Sequence, residues 1–271
     1  MNTADCKQGF TLIELLIGMA ISAIVMAAVI SVFLNIQSTS NTIDQRSSMA
    51  MASRNAMALI EDNIRLMGFN PEGDMNRRQI MNTADGCCAR GGFFMFNRND
   101  LEDPTDDDQD VTIGIGLNAA DDRAGGDRDG FADNGASGLV IQGQHAAANI
   151  EAIRFAYAFD ESSDGNVDLS VNGNIRWAID ADGDGDLDSE LDTNDDGQID
   201  ANDSIGGRSM PETVSIDKIQ AVKVWLLVRS KHPIRGSTEK RTFVVGDQRY
   251  APNDDFAHRL LTTTIRCRNM S

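Results

Sequence analysis

From Phe10 to Leu34 the chain carries 25 residues of which only Glu14 is ionisable. A helix rises 1.5 Å per residue, and about 20 apolar residues cross a hydrocarbon core, so this run is long enough to span a membrane. Beyond Leu34 the pattern changes without a break. Ile36, Ile43, Ala50, Met57 and Ile64 recur every seven residues, with Ser53, Ile60 and Met67 on the adjoining stripe. The rest of that surface is Ser, Asn, Gln and Arg, which predicts one apolar face on a polar helix. Gly68 reads as its stop. One helix of roughly 58 residues, about 87 Å long, is expected over 10–68. Residues 10–34 would be membranous, and the later part would pack on a head formed by 69–271.

The head reads differently. Residues 69–138 are mostly loop-like, with a short apolar segment at Phe93–Phe96 and a short strand at Val111–Leu117. Period-two alternation then takes over. Leu139–Ile141 is brief. Ile153, Phe155, Tyr157 and Phe159 alternate with smaller or polar residues, as do Ile175, Trp177 and Ile179. Val222, Val224, Leu226 and Val228 give the strongest alternation, and Phe243–Val245 and Leu260–Cys267 follow. Such runs joined by turns predict an α+β fold, a long helix laid on an antiparallel sheet. Trp177 and Trp225 read as core or interface.

A secretory signal has a shorter apolar region, roughly 7–15 residues, and small residues at its cleavage site. Here Lys7 and Gly9 precede Phe10, and Glu14 sits within the apolar run. An acid at a helix centre costs about 2.5–3.5 kcal/mol on insertion scales. Near the helix end Glu14 costs less, but it still asks for a partner. The stretch Lys7-Gln8-Gly9-Phe10-Thr11-Leu12-Ile13-Glu14 resembles the class III signal of type IV pilins and pseudopilins. Two tail motifs narrow the likeness to the PilW and pseudopilin-J group of minor pilins. These are Val224-Trp225-Leu226-Leu227-Val228-Arg229-Ser230 and the closing Arg259–Asn269 segment that ends in Arg-Asn.

The resemblance implies a cleaved leader at 1–9, removed by a prepilin peptidase between Gly9 and Phe10, and N-methylation of Phe10. It implies the ladle-like pilin fold, with the apolar helix in a filament core. There, Glu14 would neutralise the new α-amino group of a neighbouring subunit. Many major pilins have a proline near the position of Ser31; this chain has none, so no bend is expected there. The implied partners are other minor and major pilins, the prepilin peptidase and the inner-membrane pilus assembly machinery. The implied course is single-pass insertion in the inner membrane, with a cytoplasmic N-terminus and a periplasmic head, then an extracellular pilus. Alternatives are a type II secretion pseudopilin of J type and a calcium-dependent adhesin at the pilus tip. The large acidic head favours a low-copy subunit in a tip or initiation complex. In an oxidising compartment Cys267 is expected to pair with Cys87 or Cys88.

The net charge is −18, from 42 acidic and 24 basic residues. Such a surface repels nucleic acid, so binding to it by this chain alone is excluded. The acids also crowd together. From Asp180 to Asp203 there are eleven, with no Lys or Arg. Within that block Asp180, Asp182, Asp184 and Gly185 begin one D-x-[DN]-x-[DN]-G register, and Asp192, Asn194, Asp196 and Gly197 begin another. Side-chain oxygens at positions 1, 3 and 5 converge on one point. The glycine at position 6 takes the sharp turn, and position 7 offers its carbonyl. The ligands expected for Ca²⁺ are Asp180, Asp182, Asp184, the Asp186 carbonyl and Asp188 in the first loop. In the second they are Asp192, Asn194, Asp196, the Gln198 carbonyl, Asp200 and Asp203. Position 12 of the first loop is Leu191, which lacks the usual acid. No helices fit between the loops, so an EF-hand pair is excluded and one or two bound ions are expected. Leu187 and Ile199 should point into packing between the loops. Asp160-Glu161-Ser162-Ser163-Asp164-Gly165 is a weaker third copy.

No sequence pattern for catalysis is present. His145, His232 and His258 are scattered, with no metal-ligand spacing, and they read as surface or structural residues. The expected function is that of a non-enzymatic filament subunit.

Overall fold

The computed structural model describes residues 11–67, 91–92, 94–99, 110–118, 129–133, 135–234, 236 and 238–268. Helix α1 runs Leu12–Arg65, 54 residues, without a break at Ser31. The chain divides into two compact units at Gln45/Arg46. In the first, every residue from Thr11 to Asn41 is exposed, including Leu12, Ile17, Ile24 and Phe33. Past Leu34 the hydroxyls of Ser38, Thr39 and Thr42 bond back to carbonyls three or four residues earlier, which lets polar side chains sit in a helix without free donors.

In the second unit the helix buries Met49, Ser53, Ala56, Met57, Ile60 and Ile64. The expected stripe therefore becomes a core face only from Met49 onward. Ile36 and Ile43, which share its spacing, are 63% and 60% exposed. Periodicity marks a face but cannot say where along the helix a sheet begins to cover it.

The sheet follows in chain order: β1 (Phe94–Asn99), β2 (Asp110–Leu117), β3 (Ser137–Ile141), β4 (Gln144–Phe159), β5 (Ala178–Ile179), β6 (Asp186–Glu190), β7 (Arg208–Ser215), β8 (Ile219–Arg229), β9 (Phe243–Val245), β10 (Gln248–Tyr250) and β11 (His258–Arg266). Nine of these form one sheet and β9–β10 a separate hairpin; every pairing is antiparallel. Strand β4 is the hub. One edge pairs with β8 from Ile150 to Phe159, and β11 extends the sheet beyond β8. The other edge is shared, with β3 along the first half and β5 at Tyr157. Two leaves grow from that edge, β3-β2-β1 and β5-β6-β7.

From Ile150 onward every residue of β4 is buried, so both of its faces are covered. Ile153, Phe155, Tyr157 and Phe159 join Val222, Val224, Leu226 and Val228 and the helix residues in one core. Phe94 stacks against Phe155 and Tyr157 at 5.8 and 5.1 Å between ring centroids. The opposite face offers Ala152, Ala156 and Ala158, and their small size leaves room for Trp177, Trp225, Leu227, Phe243 and Val245. Both tryptophans are thus core residues, with the Lys223 ammonium lying over their rings at 5.2 and 5.4 Å.

Strand β6 lies where the sequence suggested only acidic loop, and β7 follows just beyond that block. Conversely, the expected strand around Ile175 and Trp177 shrinks to Ala178–Ile179 plus an isolated bridge from Leu169 to Ile175. On the second face Arg154 is buried in an ion pair with Asp247, at the turn of the β9–β10 hairpin, and also donates to the carbonyl of Asp129.

Removing one member of a buried pair leaves the other charge uncompensated, so Asp247→Asn should destabilise the head by about 3–5 kcal/mol in denaturant unfolding. Ile60→Ala should cost about 2–5 kcal/mol. Ile43→Ala, at an exposed position of the same stripe, should stay within about 0.5 kcal/mol of the parent.

Candidate functional site

At the start of α1 the sequence Thr11-Leu12-Ile13-Glu14 folds as a reciprocal cap. The Thr11 hydroxyl accepts from the Glu14 N–H at 3.3 Å, while Oε2 of Glu14 accepts from the Thr11 N–H at 2.9 Å and its hydroxyl at 2.8 Å. This is a Thr-x-x-Glu capping box, which satisfies donors that a helix start otherwise leaves open. The acid that the sequence left asking for a partner therefore has one three residues away. The threonine at that spacing was the available signal. Gly9 and Phe10, the predicted cleavage residues, lie outside the described residues. The helix that follows is long and apolar enough to cross a membrane, and its apolar window is entirely unburied.

The second candidate is the acidic block, and the same backbone occurs there three times. At position 1, Asp160, Asp180 and Asp192 accept from the N–H of Gly165, Gly185 and Gly197 at 2.7, 3.0 and 2.7 Å. At position 5, Asp164, Asp184 and Asp196 accept from the N–H two residues on, at 2.8, 3.0 and 2.9 Å. The position 6 glycines have φ of 86°, 98° and 85°, and position 4 is also left-handed, with Ser163 at 58°, Gly183 at 83° and Asp195 at 57°. Glycine is needed at position 6 because side chains resist that turn.

Closure differs between the copies. Asp168 and Asp188, at position 9, accept from the N–H of Glu161 and Ala181 at 3.1 and 3.0 Å. In the loop from Asp192 that part belongs to Asp203 at position 12, bonded to Thr193 N–H at 2.8 Å. Leu191 is instead buried among the tryptophan-side residues, and its N–H bonds the Trp177 carbonyl. Leu187 enters the main core on β6, whereas Ile199 packs on the tryptophan cluster. Each loop is thus fastened to the sheet and not, as expected, to the other loop.

The carboxylates of Asp180, Asp182 and Asp184 offer oxygens within 4.8 Å of one another. Asp180 is buried and its two neighbours are exposed, so the cluster is walled on one side and open on the other. Asn194 and Asp196 are joined at 3.1 Å, while the Asp200 carboxylate faces back to the Asn202 N–H at 2.7 Å. Asp186 begins β6, and Gln198 is exposed.

Charge separates the copies. Burial pushes the Asp180 carboxyl above its ordinary range; the N–H groups of Gly183 and Gly185 oppose this, and the charges of Asp184 and Asp182 reinforce it. Asp192 is raised in the same way, by burial and by Asp203 and Asp196. At Asp160 burial also acts, but backbone donors from Gly165 and Asp164 outweigh it and its carboxyl is lowered. The acid at position 1 is therefore raised in loops one and two and lowered in the third.

Of the predicted disulfide residues, Cys267 is a free, fully buried thiol whose pKa burial pushes up to about 12. It packs into the main core behind Ile265, and its expected partners Cys87 and Cys88 lie outside the described residues.

A prokaryotic N-terminal methylation motif matches residues 5–30. The family of Type IV Pilus-assembly protein W matches residues 131–269, just over half of the chain. No curated protein matches. Among solved structures the chain is similar to the type IV-like pilin TTHA1219 from Thermus thermophilus, with 12% identity and a TM-score of 0.38 over 82% of this chain and 97% of that one. With a methylation motif leading into its exposed apolar helix and the family match spanning the sheet from Phe131 to its last strand, the chain belongs to the Type IV Pilus-assembly protein W family.

Proposed function

We propose that this chain is a minor pilin assembled into the tip or initiation complex of a type IV pilus after a prepilin peptidase cuts between Gly9 and Phe10. The observation that carries the reading is a fully exposed apolar helix start whose acid, Glu14, is held by Thr11 among the described residues. Cleavage would make a cationic amine on Phe10, and a neighbour's Glu14 is the group able to neutralise it in an apolar core. Leaving the cap costs about 1 kcal/mol, which is small beside a charge pair in low dielectric. The membership of the W family supports a pilus over a secretion-type role.

Calcium is the second element of the proposal. Loops one and two concentrate oxygen ligands, keep a left-handed glycine at position 6 and carry repulsion that a divalent cation would relieve. The third copy lacks an acid at position 3, where Ser162 stands, and its charge is already answered, so two ions at most are assigned. A role in attachment has one observation in its favour. The turn between Leu169 and Ile175 presents Val171, fully exposed, and is tied by Ser170, Asn172 and Asn174 to Asp195 within the second loop. Calcium in that loop would steady an apolar tip.

Mass spectrometry of the native chain should show loss of the first nine residues and a methylated Phe10. Glu14→Ala should still be cleaved but should fail to co-purify with the other pilins; retention of the leader would sink the filament reading. Calcium should raise the melting temperature of the detergent-solubilised chain, each filled loop adding about 1.4 kcal/mol when free calcium is ten times its Kd. Asp180→Asn with Asp192→Asn should remove that gain, because each change takes away a carboxylate ligand at position 1.

A further inference from the structure

Away from both sites, Glu151 on β4, Asp254 in the segment before β11 and His258 at the start of β11 converge, each offering one ligand atom within 4.8 Å of the others. Glu151 and His258 are 1% and 5% exposed, while the Asp254 side chain is 27% exposed and forms the open side. Nε2 of His258 lies 2.6 Å from Oε2 of Glu151 and 3.7 Å from Oδ2 of Asp254. Yet Oε2 of Glu151 and both ring nitrogens of His258 have no hydrogen-bond partner among the described residues. At 2.6 Å that means the carboxylate oxygen stands off the ring N–H axis, poor geometry for a hydrogen bond.

We propose that Glu151, Asp254 and His258 form a binding site for one divalent transition ion, Zn²⁺ by preference. One imidazole nitrogen with two carboxylate oxygens is a donor set that favours zinc over calcium. The two observed separations bracket the roughly 3.3 Å between ligand atoms that tetrahedral bonds of about 2.0–2.2 Å require. Two carboxylates and a neutral imidazole balance a dication, which offsets the cost of burying the Glu151 charge. Two arginines lie nearby. Arg241 is forked onto Glu239 at 2.9 and 2.6 Å, and Arg229 lies over the Phe256 ring at 4.3 Å. Tyr250 donates its hydroxyl to Oε1 of Glu151 at 2.7 Å and orients the carboxylate from behind. Burial first, then this bond and the charge of Glu151, push the Tyr250 phenol upward, so it stays a donor. A fourth position toward Asp254 remains for water. The ion would fasten the excursion between β8 and β11 to β4.

The test is zinc titration calorimetry on the full chain in detergent, with saturating calcium to occupy the acidic loops. One Zn²⁺ per chain is expected. Asp254→Asn, at the open edge, should fold as the parent does by melting temperature without zinc and lose binding. His258→Gln should abolish it, and Tyr250→Phe should weaken it by about 10–100-fold. His145→Gln with His232→Gln should leave it unchanged. X-ray absorption of the zinc-loaded chain should show one imidazole and oxygen ligands only. The site is refuted by the absence of stoichiometric zinc, by undiminished binding in folded Asp254→Asn, or by sulfur in the coordination shell.

Discussion

Strand β4 is covered on both faces, and the rest of the head depends on how its two rows of side chains are filled. The row toward α1 is bulky, with Ile153, Phe155, Tyr157 and Phe159 meeting Met57, Ile60 and Ile64. The opposite row is alanine, and that choice admits two tryptophans. A sheet covered on one side only would leave the second row in water and make the β9–β10 hairpin pointless. Because both rows are dry, the one arginine among them, Arg154, needs its own counter-charge, and Asp247 provides it.

Much of this was legible beforehand. The long helix, the antiparallel head and the strong strands at β4, β8 and β11 follow from spacing alone, because apolar residues at periods near 3.6 and 2 have few other ways to hide. What escaped detection has equally physical reasons. β6 and β7 are short and rich in acids, serine and threonine, so their backbone pairing leaves little hydrophobic trace. Ile36 and Ile43 carry the right spacing but no sheet lies over them. The Thr11–Glu14 cap was readable as Thr-x-x-Glu and was overshadowed by the more specific signal surrounding it. Glu151 and His258 lie far apart in sequence, and only the pairing of β11 with β8 and of β8 with β4 brings them near; the four-residue step from Asp254 to His258 was the lone local hint.

The acidic loops show why a shared backbone does not mean a shared chemistry. Asp160, Asp180 and Asp192 make the same bond to a left-handed glycine. In only the latter two do neighbouring carboxylates add to burial in raising the acid at position 1. Loop geometry is set by hydrogen bonds, whereas affinity is set by the charge those bonds leave unanswered.

The fork along β4 has a consequence for how such a head can vary. Each leaf, β3-β2-β1 and β5-β6-β7, is stitched to the hub along its own short length. Lengthening a connection inside one leaf adds only a slowly growing entropic penalty and leaves the β8–β11 seam undisturbed. The leaf that carries the acidic loops is therefore a tolerant compartment, open to longer connections while the β8–β11 seam keeps its shape.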